Sequence, residues 1–462
     1  MIKKIGSVLL ALILTTILSF SGLISTVEAE ENVNAKIADW TFMLYAFGDN
    51  NLCAFTVEKL DELELLDYSS GRVKIICFFD DLQSGAKIYE IVQDDTPSTI
   101  NSKVLKDLGE VNMGDPDVLL DFLTFSGSNF PAAHYGLIIL GHGNPTWGLG
   151  PDEHLGSIMA KKSSGILTLG ELKITLKAFK TGTDITLDII GFDACLMGTF
   201  EVASVLKDYA NIMIASPTVM HTETWADVHI FLSLLKDPAK SPEDFAKKVV
   251  EDSLIQMIID EEGYWQPPTR YLIAVDLSYI PEIIDAFSRL NSALISQLQA
   301  SPESALDFDK AVMESNKFAG IHSPQCHLGL WTLDILVFAK SLQALDCSEI
   351  KDKADKLREV LERATIAEPG KANYFRSFSV YASDTSVDCI NDFNTKTKTN
   401  EYLKEYRIAM EKIKSKEEPS EKSFRDKAGN WFEKWWLTAL IAISALIIAG
   451  FIFKKAQFFK KS

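Results

Sequence analysis

The chain has 462 residues, of which 47% are hydrophobic and 24% charged, a balance that excludes a disordered protein and leaves room for one large domain or two ordinary ones. Its net charge is −18, and residues 30–434 carry −23 because both ends are basic. So acidic a body repels nucleic acid and favours basic peptides or divalent cations.

The first 29 residues place Lys3 and Lys4 before an apolar run that ends in Val27-Glu28-Ala29. That order predicts a secretory signal peptide cleaved after Ala29. From Trp40 the pattern alternates between strand and helix. "WTFMLYAFG" is an apolar strand, and "DNNLCAFTVEKLDELELL" is a helix that Asp49 and Asn50 are placed to cap. "VKIICFF" is a second apolar strand, "KIYEIVQDD" an exposed alternating one, and "DPDVLLDFLTFSGS" a helix entered at Asp115-Pro116. "HYGLIIL" is a strand, "LTLGELKITLKAF" a helix, "ITLDIIGFD" a strand, "TFEVASVLKDYA" a helix and "NIMIAS" a strand. Short apolar strands alternating with helices predict an α/β fold with a mostly parallel central sheet covered on both faces.

Beyond about residue 240 helical segments dominate, such as "SPEDFAKKVVEDSLIQMI" and "DLSYIPEIIDAFSRLNSALISQL", with the short apolar strands "RYLIAVD" and "SFSVYASD" between them. Residues 411–434 read as a charged stalk. Residues 435–453 are uncharged and close to the ~20 residues that a membrane-spanning helix needs, with Trp435 and Trp436 at one edge. Lys454, Lys455, Lys460 and Lys461 follow, within a basic cytoplasmic tail at 454–462. The expectation is a single-pass cell-membrane protein with a large extracellular body. The six cysteines, at 53, 77, 195, 326, 347 and 389, form no CxxC pair, so neither a zinc ribbon nor a dense disulfide framework is indicated.

Two strands end oddly. "LIILGHG" drives an apolar strand into His142 between two glycines, and "IIGFDACLMG" drives another into Cys195. In parallel sheets functional groups gather beyond the carboxyl ends of strands, and a right-handed crossover would bring these two ends together. A thiol beside an imidazole is the minimum for thiol nucleophilic catalysis, with the imidazole taking the proton and later returning it to the leaving amine. The N–H groups of Gly143 and Cys195 are the natural donors to a developing oxyanion, and a helix starting after Cys195 would add a favourable dipole.

Around these residues the chain resembles the clostripain family of clan CD cysteine peptidases, relatives of the caspases. "LIILGHG", "IIGFDACLMG", "WTFMLYAFGDNNL", "LGEVNMGDPDVLLDFLTF" and "EVASVLKDYA" carry the resemblance, which runs over roughly residues 37–385. It implies a caspase-like three-layer α/β sandwich over 37–240, with 241–410 as a mostly helical C-terminal part of the same peptidase unit. It also implies an endopeptidase cleaving after Arg or Lys, with Cys195 as nucleophile and His142 as general base and acid. By position, Asp193 falls where the family places an acid in the pocket for the cationic side chain, and a confined carboxylate suits that task.

The resemblance loosens in the cleft walls. "ASPTVMHTETW" stands where the family usually has Ser-Glu-Glu, Pro-Gly and Gly-Trp, so that Trp225 aligns and Glu223 offers a second pocket acid. Asn144-Pro145-Thr146-Trp147 replaces a Gly-x-Gly-Trp loop. Family members tend to mature by self-cleavage between the His and Cys motifs, and Lys161-Lys162 offers a site there. Some relatives are stimulated by calcium. No cofactor is required by the dyad, and with no EF-hand-like spacing present no metal ligand is assigned. Two other readings use the same residues: an acyl-enzyme passed to an amine, giving a transpeptidase or transamidase, and a non-catalytic surface recognition domain.

Overall fold

The computed structural model describes residues 37–152, 165–217, 220, 228–253, 272–318, 332–368, 379–381 and 395–416. The N-terminal half runs β1 (Ala38–Ala46), α1 (Cys53–Glu64), β2 (Val73–Asp81), β3 (Gly85–Glu90), β4 (Lys103–Gly109), α2 (Pro116–Asn129), β5 (Ala132–Leu140), β6 (Gly143–Asn144) and β7 (Gly148–Leu149). It continues through α3 (Leu169–Thr183), β8 (Leu187–Asp193), α4 (Phe200–Leu206), β9 (Ala210–Ala215), α5 (Val228–Lys236), α6 (Pro242–Ser253) and β10 (Ile273–Asp276). The remainder comprises α7 (Ile280–Ala300), α8 (Ser304–Phe318), β11 (Thr332–Asp334), α9 (Ile335–Ser341), α10 (Ser348–Ala364), β12 (Thr365–Ala367), β13 (Ser379–Tyr381) and α11 (Thr399–Lys416).

Nine strands form one sheet in the order β12-β10-β9-β8-β5-β1-β2-β3-β4. Its centre, β9-β8-β5-β1-β2, is parallel throughout, as the strand–helix alternation predicts. Both flanks are antiparallel, so the sheet is mixed rather than mostly parallel. At the β2–β3 flank the reason is connection length. Three residues join β2 to β3, too few for a crossover, and the Asp81 carboxylate accepts from the N–H groups of Gln83 and Ser84 to fix that turn.

Side-chain alternation along the central strands supplies both faces of the sheet. Trp40, Phe42, Leu44 and Ala46 of β1 enter one core with α1, α5 and α6, while Met43 and Tyr45 enter the other with α2, α3 and α4. Leu137 and Ile139 of β5 oppose Ile138 and Leu140 in the same way. The result is the expected three-layer sandwich. α7, α10 and α11 join the second of these cores, and β10 and β12 extend the same sheet, so the helical C-terminal part shares one core with the N-terminal half.

Local signals set the helix starts. Asp115 accepts from Asp117 N with Pro116 in the first turn of α2, and Thr168 and Glu171 form a reciprocal capping box on α3. α1 begins at Cys53, and Leu52 directly before it makes no side-chain cap; Asn50 Oδ1 accepts from Leu52 N at 2.8 Å at the helix entry.

The fold expectation is corrected at the C-terminus. Among the described residues no helix is long and apolar enough to cross a membrane. The segment 435–453, its basic tail and most of the stalk lie outside the described residues, as does the expected signal peptide.

Candidate active site

β5 and β8 are neighbours in the parallel centre, and their last paired residues are Leu140 and Asp193. One further hydrogen bond, from Gly141 N to Asp193 O at 3.1 Å, holds the strand ends together as the chains leave the sheet. His142 and Cys195 each stand two residues beyond that last pair. The sequence expectation of adjacent strand ends is thereby met, and the two residues project from one edge of the sheet.

Backbone geometry turns both chains sharply at this point. Gly141 has φ +147°, in the region that favours glycine. After His142, β6 and β7 form a two-residue-strand hairpin, and the Asn144 side-chain oxygen Oδ1 accepts from Thr146 N at 2.8 Å and Thr146 Oγ1 at 2.6 Å. This local Asx arrangement explains how Asn144-Pro145-Thr146-Trp147 makes a turn without the family's glycines. Gly150 N donates to His142 O and Leu149 N to Leu167 O, so Gly143 faces Leu149 as a non-hydrogen-bonded pair and its N–H points away from β7. On the other chain, Leu196 adopts φ +64°, a conformation that costs a bulky residue on the order of 1–3 kcal/mol and is held here by its surroundings. Gly198 N donates to Ser216 O at 2.7 Å just beyond it.

Gly143 is where the two turns meet. A Cβ at this position would lie 2.8 Å from both Ala194 Cβ and Cys195 O. Only glycine lets the histidine turn lie against the cysteine turn at this separation.

The imidazole has a partner that the sequence reading missed. His142 Nε2 lies 2.7 Å from Asn51 Oδ1. An amide oxygen can only accept, so Nε2 carries the proton and Nδ1 is the basic nitrogen. Asn51 is placed just past β1, the strand paired with β5 on its other side, and no spacing in the sequence announces that approach.

Cys195 is half-buried. Its Sγ accepts from Met220 N at 3.2 Å and lies 3.5 Å from Met220 O, so the Met220 backbone leans directly on the thiol. Burial pushes the thiol above its ordinary range, the Met220 N–H pulls it down and the negative charge of Asp193 pushes it up again. Asp193 itself is buried, with 5% exposure. The expected helix dipole is not at Cys195, because α4 begins only at Phe200. Lys161, Lys162, Glu223 and Trp225 lie outside the described residues. Cys53, Cys77, Cys195 and Cys347 are free thiols.

Sequence spacing indicated no metal ligands, yet four carboxylates far apart in the chain converge beside this edge of the sheet: Asp49, Asp80, Glu110 and Asp152. Burial, then the charges of Asp152 and its other acidic neighbours, pushes Asp80 up to about 8. Burial and the adjacent Asp49 push Asp152 up to about 7, against a lowering by the Met113 N–H.

The fold agrees with comparisons to known proteins. The Clostripain family (peptidase C11) model matches residues 44–424. Clostripain from Hathewaya histolytica is 26% identical over 203 residues, 38% of this chain and 37% of that protein, so the match spans little more than a third of that relative's length. Two crystal structures are similar in fold. A secreted C11 cysteine protease from Bacteroides thetaiotaomicron, in complex with an irreversible peptide inhibitor, has a TM-score of 0.54 at 16% identity, over 79% of this chain and 99% of that one. An inactive zymogen C11 protease from Parabacteroides distasonis has a TM-score of 0.52 at 17% identity, over 81% of this chain and 99% of that one. With the family model spanning most of the chain, the protein belongs to the clostripain family of cysteine peptidases.

Proposed function

We propose that this chain is a cysteine endopeptidase that cleaves polypeptides after Arg or Lys, with Cys195 as nucleophile and His142 as general base and acid. The observation that carries the reading is the equal offset of the two residues from the last β5–β8 pair. In the proposed reaction His142 Nδ1 takes the Cys195 proton as sulfur attacks the scissile carbonyl carbon. The N–H groups of Gly143 and Cys195 receive the oxyanion. Collapse of the tetrahedral intermediate breaks the C–N bond, and the imidazolium protonates the departing amine. Water, deprotonated by His142, then hydrolyses the thioester and frees the thiol.

The buried Asp193 carboxylate faces the cationic side chain of the substrate residue before the scissile bond, where a charge-assisted contact inside a confined pocket selects Arg or Lys over neutral residues. Glu223 adds a second acid and Trp225 a wall to that pocket. Cleavage after Lys161 or Lys162 matures the chain. The contact between Met220 and the Cys195 thiol suits a resting form that opens when substrate enters.

Rates on peptide amides ending in Arg, Lys or Ala test this reading. Turnover of the Arg and Lys peptides, lost in Cys195→Ala, is expected. Equal rates on all three would defeat the proposed specificity, and turnover retained in Cys195→Ala would defeat the mechanism. Release of an amine adduct in place of the acid, when an amine nucleophile is added, would identify a transpeptidase.

A further inference from the structure

Phe55 is a large apolar side chain left in solvent, 37% exposed, on the first turn of α1. The same helix turns Leu60 and Leu63 into a core, so the exposure belongs to its first turn, where Ala54 is exposed as well. Leu82, in the turn that follows β2, is 41% exposed, and its backbone N–H donates to the Cys53 thiol at the start of α1. Two exposed apolar side chains thus stand about one helix entry.

Their place relative to the dyad follows from Asn51. Its Oδ1 accepts from His142 Nε2 at 2.7 Å, so the entry to α1 lies directly behind the imidazole. Cys53 N donates to Asn50 O at 3.2 Å and Thr56 N to Leu52 O at 3.0 Å, so the chain is already coiled at Asn51. Residues four apart on such a coil share one side, with Cβ atoms ~5–6 Å apart. Phe55 therefore stands one turn beyond Asn51, behind the ring nitrogen that faces away from Cys195.

Sheet order sets the direction of a bound peptide. β8 leads to Asp193 and Cys195, β5 beside it leads to His142, and β1 and β2 follow in that order. In the proposed reaction the residue before the scissile bond sits at Asp193, and the departing amine must lie at His142. The chain after the scissile bond therefore continues from β5 towards β1 and β2, where Phe55 and Leu82 stand.

We propose that Phe55, with Leu82 beyond it, receives the side chain of the residue directly after the scissile bond and selects a large apolar residue there. The inference rests on the peptidase reading, which fixes the direction of the peptide. An exposed aromatic ring gains when an apolar side chain covers it, and glycine or a carboxylate offers no such gain. Asp49 and Asp80, at the ends of the same two strands, are buried at 2% and 0% exposure, so neither charge lines the surface that Phe55 presents.

The test uses the full chain and three internally quenched peptides that differ only in the residue after Arg: Leu, Gly or Asp. The wild-type chain should cleave the Leu peptide with a kcat/KM ~10-fold above the other two, the scale on which an apolar contact discriminates. Phe55→Ser should bring the three rates to within ~2-fold of one another, and Phe55→Leu should keep the preference. A merely structural role for Phe55 would slow all three peptides alike and leave their ratio unchanged. Equal rates on the three peptides in the wild-type chain, or an unchanged ratio in Phe55→Ser, would overturn the proposal. Should Phe55→Ser melt well below its parent, Phe55→Gln is read by the same ratio. No turnover of any peptide would defeat the peptidase reading and this inference with it, whereas turnover without preference defeats this inference alone.

Discussion

His142 donates through Nε2 to Asn51 Oδ1 at 2.7 Å, which leaves Nδ1 as the basic nitrogen of the ring. The imidazole is thus oriented by a residue from a third strand end, beside the two that carry His142 and Cys195. Asn51→Ala should lower kcat by ~10–100-fold with little change in KM, since ~1.4 kcal/mol of lost orientation corresponds to tenfold. Asn51→Asp keeps an acceptor and adds a charge that favours the imidazolium, so it should retain activity and move the acid limb of the pH–rate profile upward. An unshifted profile in Asn51→Asp would remove Asn51 from this role.

Gly143→Ala should be severe although the change is one methyl group. Its Cβ would meet Ala194 Cβ and Cys195 O at 2.8 Å, so one turn must move away from the other. A displacement of about 1 Å at reacting groups costs on the order of 100-fold in rate. The melting temperature measured alongside kcat should change far less than the rate does.

The Cys195 thiol in the resting structure is buried against Met220, and its pKa lies above the ordinary thiol value of 9.0. The thiolate is the reactive form, so a raised pKa means little thiolate at neutral pH and a growing fraction as pH increases. Iodoacetamide alkylation of the resting protein should keep accelerating beyond about pH 9. A rate already level at pH 7 would reveal a preformed thiolate–imidazolium pair.

Asp193→Asn should erase the proposed preference for basic residues. Hydrogen bonds to charged groups are worth ~1.5–3 kcal/mol, so kcat/KM for Arg peptides should fall by roughly 10–100-fold while neutral peptides are little affected. The ratio of the two rates is the decisive readout, because a general folding defect would lower both.

Self-cleavage should leave a new N-terminus after Lys161 or Lys162 in the wild-type chain and none in Cys195→Ala. N-terminal sequencing of both proteins checks this. Intact chains in both would count against maturation at these lysines.

Much of this site can be read along the chain because strand ends are local events. "LIILGHG" and "IIGFDACLMG" each show an apolar run followed by glycine and a reactive side chain; β5 ends with its run at Leu140, and β8 continues through Gly191 and Phe192 to Asp193, two residues before Cys195. β4 is harder to see. Nearly all of its residues are exposed, with Lys103, Lys106 and Asp107 along a sheet edge, so it lacks the alternation that marks a half-buried strand. Asn51 and the carboxylates are invisible for a different reason. Asp49 and Asp152 are over a hundred positions apart, and only the parallel order of β2, β1 and β5 brings their neighbourhoods together. Read locally, Asp49 looked like a helix cap; in the fold it turns towards other acids.

Labelling with an arginyl chloromethylketone, followed by peptide mass spectrometry, tests the central claim most directly. The reagent needs a pocket for a cationic side chain, a nucleophilic sulfur and an imidazole to activate it. Stoichiometric modification of Cys195 is expected in the wild-type chain, with loss or strong slowing in His142→Ala. Modification of a different cysteine, or equal labelling of Cys195 with and without His142, would contradict the dyad.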